Sequence, residues 1–171
     1  MVTSNLRKLL CIAFIVGLMI CSGIALADPQ NGIGVYVGLV GATEDGSESK
    51  GLSLGMDAQF ANKGKWSLNP YLMISDERDS DSRNLSDGLA GLQIRRWFDN
   101  WFVGGQFFVH DTLVFNNSTV QSSTYGPGMG VVAGLEYTNG WGVEVQSESF
   151  EYASQGMPRN AVRLHLTYRW Y

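Results

Sequence analysis

Gly51-Leu52-Ser53-Leu54-Gly55-Met56-Asp57-Ala58-Gln59-Phe60 alternates without a break. The even positions are apolar, and the odd ones are small or polar. A period of two is that of a β-strand with one apolar face; a helix would place apolar residues every three or four positions. The same pattern can be followed in both directions along the chain. Before it, Ile33, Val35, Val37 and Leu39 alternate with Gly34, Tyr36 and Gly38. After it come Trp66, Leu68, Leu72 and Ile74, then Ala90, Leu92, Ile94 and Phe98. A fifth, less regular run has Trp101, Val103, Phe107 and Val109 on one face, with Phe108 on the other. Met129 to Tyr137, Trp141 to Val145 and Val162 to Trp170 complete the set. Eight strands of about 9–11 residues, the length a tilted membrane strand needs, account for most of the chain.

Alternation alone does not say whether the apolar face points into a core or out into lipid. The connectors and the tryptophans decide it. Short connectors at 61–65, 99–100 and 138–140 alternate with long polar ones at 43–50, 76–87, 111–127 and 151–160. Short turns on one side and long loops on the other are the pattern of a membrane barrel with periplasmic turns and extracellular loops. All five tryptophans, Trp66, Trp97, Trp101, Trp141 and Trp170, lie next to a short turn or the C-terminus. Such a ring belongs at a membrane interface. The expectation is an all-β, eight-stranded, antiparallel up-and-down transmembrane barrel with an aromatic girdle of those five tryptophans.

The first 27 residues stand apart. Arg7 and Lys8 precede an apolar run at 9–21, and Ala25-Leu26-Ala27 offers a small-x-small cleavage site. These are the parts of a secretory signal peptide, and the run is short of the roughly 20 residues of a spanning helix. Lipidation at Cys21 fits less well, because Ile20 stands where a small residue is wanted. The division is therefore a signal peptide at 1–27 and a barrel domain at 28–171. Cys11 and Cys21 both leave with the leader, so no disulfide is expected. With Arg7 and Lys8 gone, ten basic residues face sixteen acidic ones, a formal net charge of −6. That balance excludes a nucleic-acid partner, which requires a basic face.

Over residues 28–171 the pattern resembles the small OmpA/OmpX-type outer-membrane barrels, a group that includes the opacity-type surface proteins. One feature is sharper. Leu164, Leu166, Tyr168 and Trp170 alternate toward the C-terminus, similar to the signal by which such barrels are recognised for insertion; here Tyr171 follows the aromatic that should close it. The resemblance implies a place in the bacterial outer membrane, surroundings of outer-membrane lipid and lipopolysaccharide, and recognition by the barrel-assembly machinery. It also implies a monomer without a cofactor or metal. Some relatives carry a periplasmic domain after the barrel; no peptidoglycan-binding residues are expected here.

Several constellations could carry chemistry. Asp57, Arg95, Glu136, Glu144, Arg163 and Arg169 all fall on the polar face. Eight strands leave an interior just wide enough for side chains, so buried charges there must pair. The expectation is a lumen ion-pair network, and a gated ion path is the alternative use of the same residues. His110 and His165 are also inward, and His165 shares its strand face with Thr167. A lipid A-modifying enzyme would need nucleophile, histidine and acid in reach, but a lipid arrives from outside. Asp76, Glu77, Asp79, Asp81 and Asp87 read as a solvated acidic loop without calcium-loop spacing. Pro70 predicts a local bulge, and outward Arg96 can snorkel toward headgroups. No residue is singled out as catalytic. The expected function is non-enzymatic, a structural or surface-interaction role through four loops; a narrow pore and a lipid A enzyme are the alternatives.

Overall fold

The computed structural model describes residues 30–44, 47–62, 65–80, 83–116, 119–152 and 157–171. The leader at 1–27 and both cysteines lie outside them. The strands are β1 (Gly32–Glu44), β2 (Ser47–Ala61), β3 (Trp66–Asp79), β4 (Asn84–Phe98), β5 (Trp101–Asn116), β6 (Thr119–Glu136), β7 (Trp141–Tyr152) and β8 (Met157–Trp170). Each pairs antiparallel with the next, and β8 returns to β1 from Ile33↔Trp170 to Thr43↔Asn160, closing the barrel.

The barrel is inside-out. Ile33, Leu52, Leu72, Phe107, Val131 and Val162 are each more than half exposed on the outer wall, while Asn69, Gln93, Gln106, Gln146 and Arg163 are fully buried within. Water would penalise so continuous an apolar surface, whereas hydrocarbon accepts it. On β2 the apolar face runs from Leu52 to Phe60. At about 3.4 Å per residue and a tilt of about 40°, it rises about 20 Å before side chains are added, close to the apolar band of a membrane barrel.

One end is made of tight turns. Asp99 begins a two-residue turn with φ 58°, Lys65 has φ 61° and Gly140 has φ 85°. These are left-handed conformations, which a turn imposes and which aspartate and glycine accept readily. A Cβ on Gly140 would also run into the Arg169 carbonyl.

The opposite end differs from the sequence expectation. Most of the segments read as long loops continue as paired strand: β3 reaches Asp79 before β4 starts at Asn84, and β5 reaches Asn116 before β6 starts at Thr119. The two ends thus differ in how far the strands extend past the apolar belt. The physical reason is that both faces are polar there, so the hydrophobic period vanishes while the backbone ladder persists. The acidic stretch at 76–87 is likewise no solvated loop: Glu77, Asp79 and Asp87 are buried, and Asp76 is exposed. Asp81 lies outside the described residues.

Pro70 makes a gap rather than a bulge. Pairing of β2 with β3 lapses between Asp57↔Tyr71 and Phe60↔Leu68 and resumes in the same register. Inside, Asn69 bridges the lapse by donating to Asp57 Oδ2 at 2.8 Å and Gln59 Oε1 at 3.0 Å. Among the described residues the register shifts elsewhere, between Val114 and Phe115 of β5, where β6 carries one extra residue, Gln121.

Candidate functional site

Strand parity sends one polar set of side chains into the lumen, and they sort into two networks. From the turn end, the Tyr171 hydroxyl donates to Glu136, whose Oε2 accepts from Arg169 Nε at 3.0 Å. Arg169 then grips Asp57 with both Nη atoms, at 2.8 and 3.0 Å. Arg95 Nη2 lies 3.5 Å from Asp57 Oδ2 and donates to Glu144 Oε2 at 2.7 Å. The chain continues through Gln93 to Gln106 at 3.0 Å, from Gln106 to Glu148 at 3.0 Å, and ends with Arg163 Nε on Glu148 at 2.8 Å. All six charged residues singled out from the sequence lie in this network.

A second network sits toward the hairpin end. Arg159 donates to Asp87 Oδ2 at 2.7 Å and to Glu77 Oε2 at 2.5 Å, and Ser49 donates to the same Glu77 oxygen at 2.6 Å. Sequence reasoning missed this group, because Arg159, Glu77 and Asp87 fell in segments read as loop. Along the strands, Met73, Leu89 and Ala161 come between the residues of the two networks, and they belong to one buried apolar cluster with Tyr36, Phe108 and Phe150. The lumen is therefore layered: polar, apolar, polar. A buried pair is costly unless its remaining donors and acceptors are engaged, and most of these carboxylates accept from two donors. β8 alone supplies Arg159, Arg163 and Arg169; the remaining buried arginine, Arg95, comes from β4.

Trp97 corrects the proposed girdle. Trp66, Trp101 and Trp170 stand exposed on the outer wall at the turn end, and Trp141 is half-buried there against Tyr168 at 4.9 Å. Trp97 is 1% exposed and inside, with Nε1 donating to Ser67 at 2.9 Å. Neighbouring residues Ile94, Arg96 and Phe98 take the outward positions of β4, which forces position 97 inward. Arg96 lies 5.3 Å over the Trp66 ring and 5.9 Å over that of Phe98. Leu164, Leu166, Tyr168 and Trp170 share the outward face of β8.

His165 and Ser53 lie in close contact: Nε2 lies 2.7 Å from Oγ, and the ring stacks on Tyr36 at 5.7 Å. Both residues are buried in the lumen, and the ring's Nδ1 has no acid on it. Thr167 is buried on the same strand face, and Glu148 is taken by Gln106 and Arg163. His110 lies against Phe150 at 4.4 Å, with Nδ1 3.2 Å from the Thr112 hydroxyl. A nucleophile needs both an oriented base and an approach for its substrate.

No protein-family model matches the chain, and no curated protein matches its sequence. Solved structures do match in fold. Neisserial surface protein A superposes with a TM-score of 0.67 at 12% identity, covering 82% of this chain and 97% of that one. Ail, the attachment invasion locus protein of Yersinia pestis, gives 0.59 at 12% identity, covering 84% and 100%. The outer membrane enzyme PagL gives 0.58 at 14% identity, covering 78% and 98%. At these identities the likeness is one of fold, and the fold is that of the small OmpA/OmpX-type barrels. Fold and lipid-facing surface together make this an outer-membrane β-barrel.

Proposed function

We propose that the protein is a non-enzymatic barrel with a structural or surface-interaction role, carried by the four hairpins that project beyond the apolar belt. The observation that supports this is the filled lumen. Its arginines and most of their partner carboxylates are engaged with one another on either side of an apolar layer, which leaves no approach for a lipid substrate to Ser53 and His165. The groups free to meet a partner are those on the hairpins. The hairpin end faces the exterior and the turn end the periplasm, in keeping with the asymmetry of such barrels.

Residues 1–27 would direct export and be removed. The outward face of β8, closing on Trp170, is what the assembly machinery would read. Outer-membrane lipids and lipopolysaccharide then surround a monomer.

The test has two parts. Purified protein in a planar bilayer should be electrically silent, and overexpression should leave the lipid A mass profile unchanged. A steady current altered by Arg95→Gln would instead favour the pore, and a changed profile that depends on His165 would favour the enzyme. Replacing residues 112–126 by a tight Asn-Gly turn should leave the barrel inserted while removing any adhesion that the full protein confers.

A further inference from the structure

The outer wall carries bulky side chains on most strands, but it is shallow across β5, β6 and β7. Gly105 and Ala133 face outward there, and Gly105 is flanked in register by Ile94 and Val131. The nearest atom to a Cβ placed on Gly105 is 4.0 Å away. Glycine inside a strand weakens it, and often marks a bulge, a tight bend or the close approach of a ligand. The register passes through Gly105 without a shift on either side, so it is no bulge glycine. What it opens is a groove of about 590 Å³, lined by Ile94, Val103, Gly105, Val131, Ala133 and Ser147. Phe107 and Met129, the next outward pair, stand 61% and 62% exposed beyond it toward the hairpin end.

The groove also has a direction. One row of paired residues runs Trp66, Arg96, Val103, Ala133, Val145. It starts at the first residue of β3 and reaches the third of β5 and the fifth of β7. Since the turns lie at one end, the row climbs from that end into the belt. Trp66 and Arg96 line its low corner, and Ser147 lines its deep side. From β4 to β7 is three strand spacings, about 14 Å, comparable to the roughly 15 Å of hydrocarbon in one leaflet.

Arg96 gives the low corner a charge. Its guanidinium lies 5.3 Å over the Trp66 ring and 5.9 Å over that of Phe98. Stacking uses the face of the group, whereas its N–H donors lie at the edge, where a phosphate can take two in parallel. Tryptophan and phenylalanine beside it mark the level at which lipid headgroups begin.

We propose that this groove binds one glycerophospholipid of the turn-side leaflet, with its phosphate diester at Arg96 and one acyl chain laid over Gly105 and Ala133. A second copy of the barrel is the poorer occupant. A two-fold axis along the membrane normal would set groove against groove and Arg96 against Arg96. That arrangement opposes two hollows and two like charges. The inference rests on the proposed surface role only for which leaflet is meant, because the turn end is read there as periplasmic.

The experiment is native mass spectrometry of the full protein released from detergent. The probes are phosphatidylglycerol, diacylglycerol with the same chains, and glycerophosphoglycerol, which has no chains. One phosphatidylglycerol should be retained per barrel, about tenfold or more tightly than either fragment. Arg96→Gln should lower its retention about tenfold, to the level of diacylglycerol. Gly105→Leu fills the groove and should weaken both two-chain probes. Val37→Leu on β1, outside the groove, should change neither. Heat-dependent mobility shows whether each variant is still an intact barrel.

Equal retention of diacylglycerol and phosphatidylglycerol would overturn the proposal, since the phosphate would then contribute nothing. So would undiminished retention in either Arg96→Gln or Gly105→Leu. A dimer that Gly105→Leu separates would give the groove to a second copy and overturn it as well. These outcomes are independent of the bilayer and lipid A tests, so the lipid site and the surface role can each fail alone.

Discussion

Arg95 concentrates the energetics of the lumen in one side chain. It is buried between Glu144 and Asp57 and packs 4.5 Å over the Phe102 ring. Arg95→Ala would leave Glu144 buried without its cation, at a cost of about 3–5 kcal/mol. Urea unfolding from lipid vesicles measures this, and adding Glu144→Gln should recover a large part of the loss, because the stranded charge is then gone. The inward charged set was legible because alternation fixes which side of a strand each residue faces. Trp97 was legible by the same rule, with Ile94 and Phe98 marking the outer face; proximity to the turn drew it into the girdle instead. Arg159 gave no such signal. It fell in a segment read as loop, and the outward position beside it on β8 is the polar Asn160, so the apolar period that begins at Val162 stops short of it.

At the scale of the strand, small residues make room for large ones. The His165 ring and the Leu164 carbonyl occupy the space where a side chain on Gly38 would go, and Tyr36 leans over Gly55 as Tyr71 does over Gly91. Gly38→Ala should therefore cost about 1–3 kcal/mol by overpacking. Gly105→Ala on the outer wall, where the nearest atom is 4.0 Å away, should be tolerated. Denaturant midpoints of the two variants give the comparison. The eight strands themselves were legible in the belt, where the two faces differ in polarity. Above the belt both faces are polar, and the sequence carried no period to read. Pro70 shows the same limit: its missing donor was predictable, but whether the ladder would bulge or lapse depends on Asn69 reaching across to Asp57 and Gln59.

For the whole molecule, closure governs behaviour in detergent. Closed membrane barrels leave no strand edge within the belt for detergent to invade, so unboiled protein should migrate faster than boiled protein on electrophoresis. Equal mobilities would mean the ring of pairs between β1 and β8 does not hold. That last seam has a further consequence for the order in which the molecule can be completed. Among the described residues the interior carries seven buried carboxylates, Asp57, Glu77, Asp79, Asp87, Glu136, Glu144 and Glu148; before the eighth strand arrives, Arg83 pairs with Asp79 and the other six are opposed by Arg95 alone. An open seven-stranded sheet would be strongly self-repelling along its concave side. The final strand carries three cations on that side, so its docking discharges the sheet at the moment it seals it. Premature curling of the first seven strands onto themselves is penalised until the last segment of the chain has been delivered.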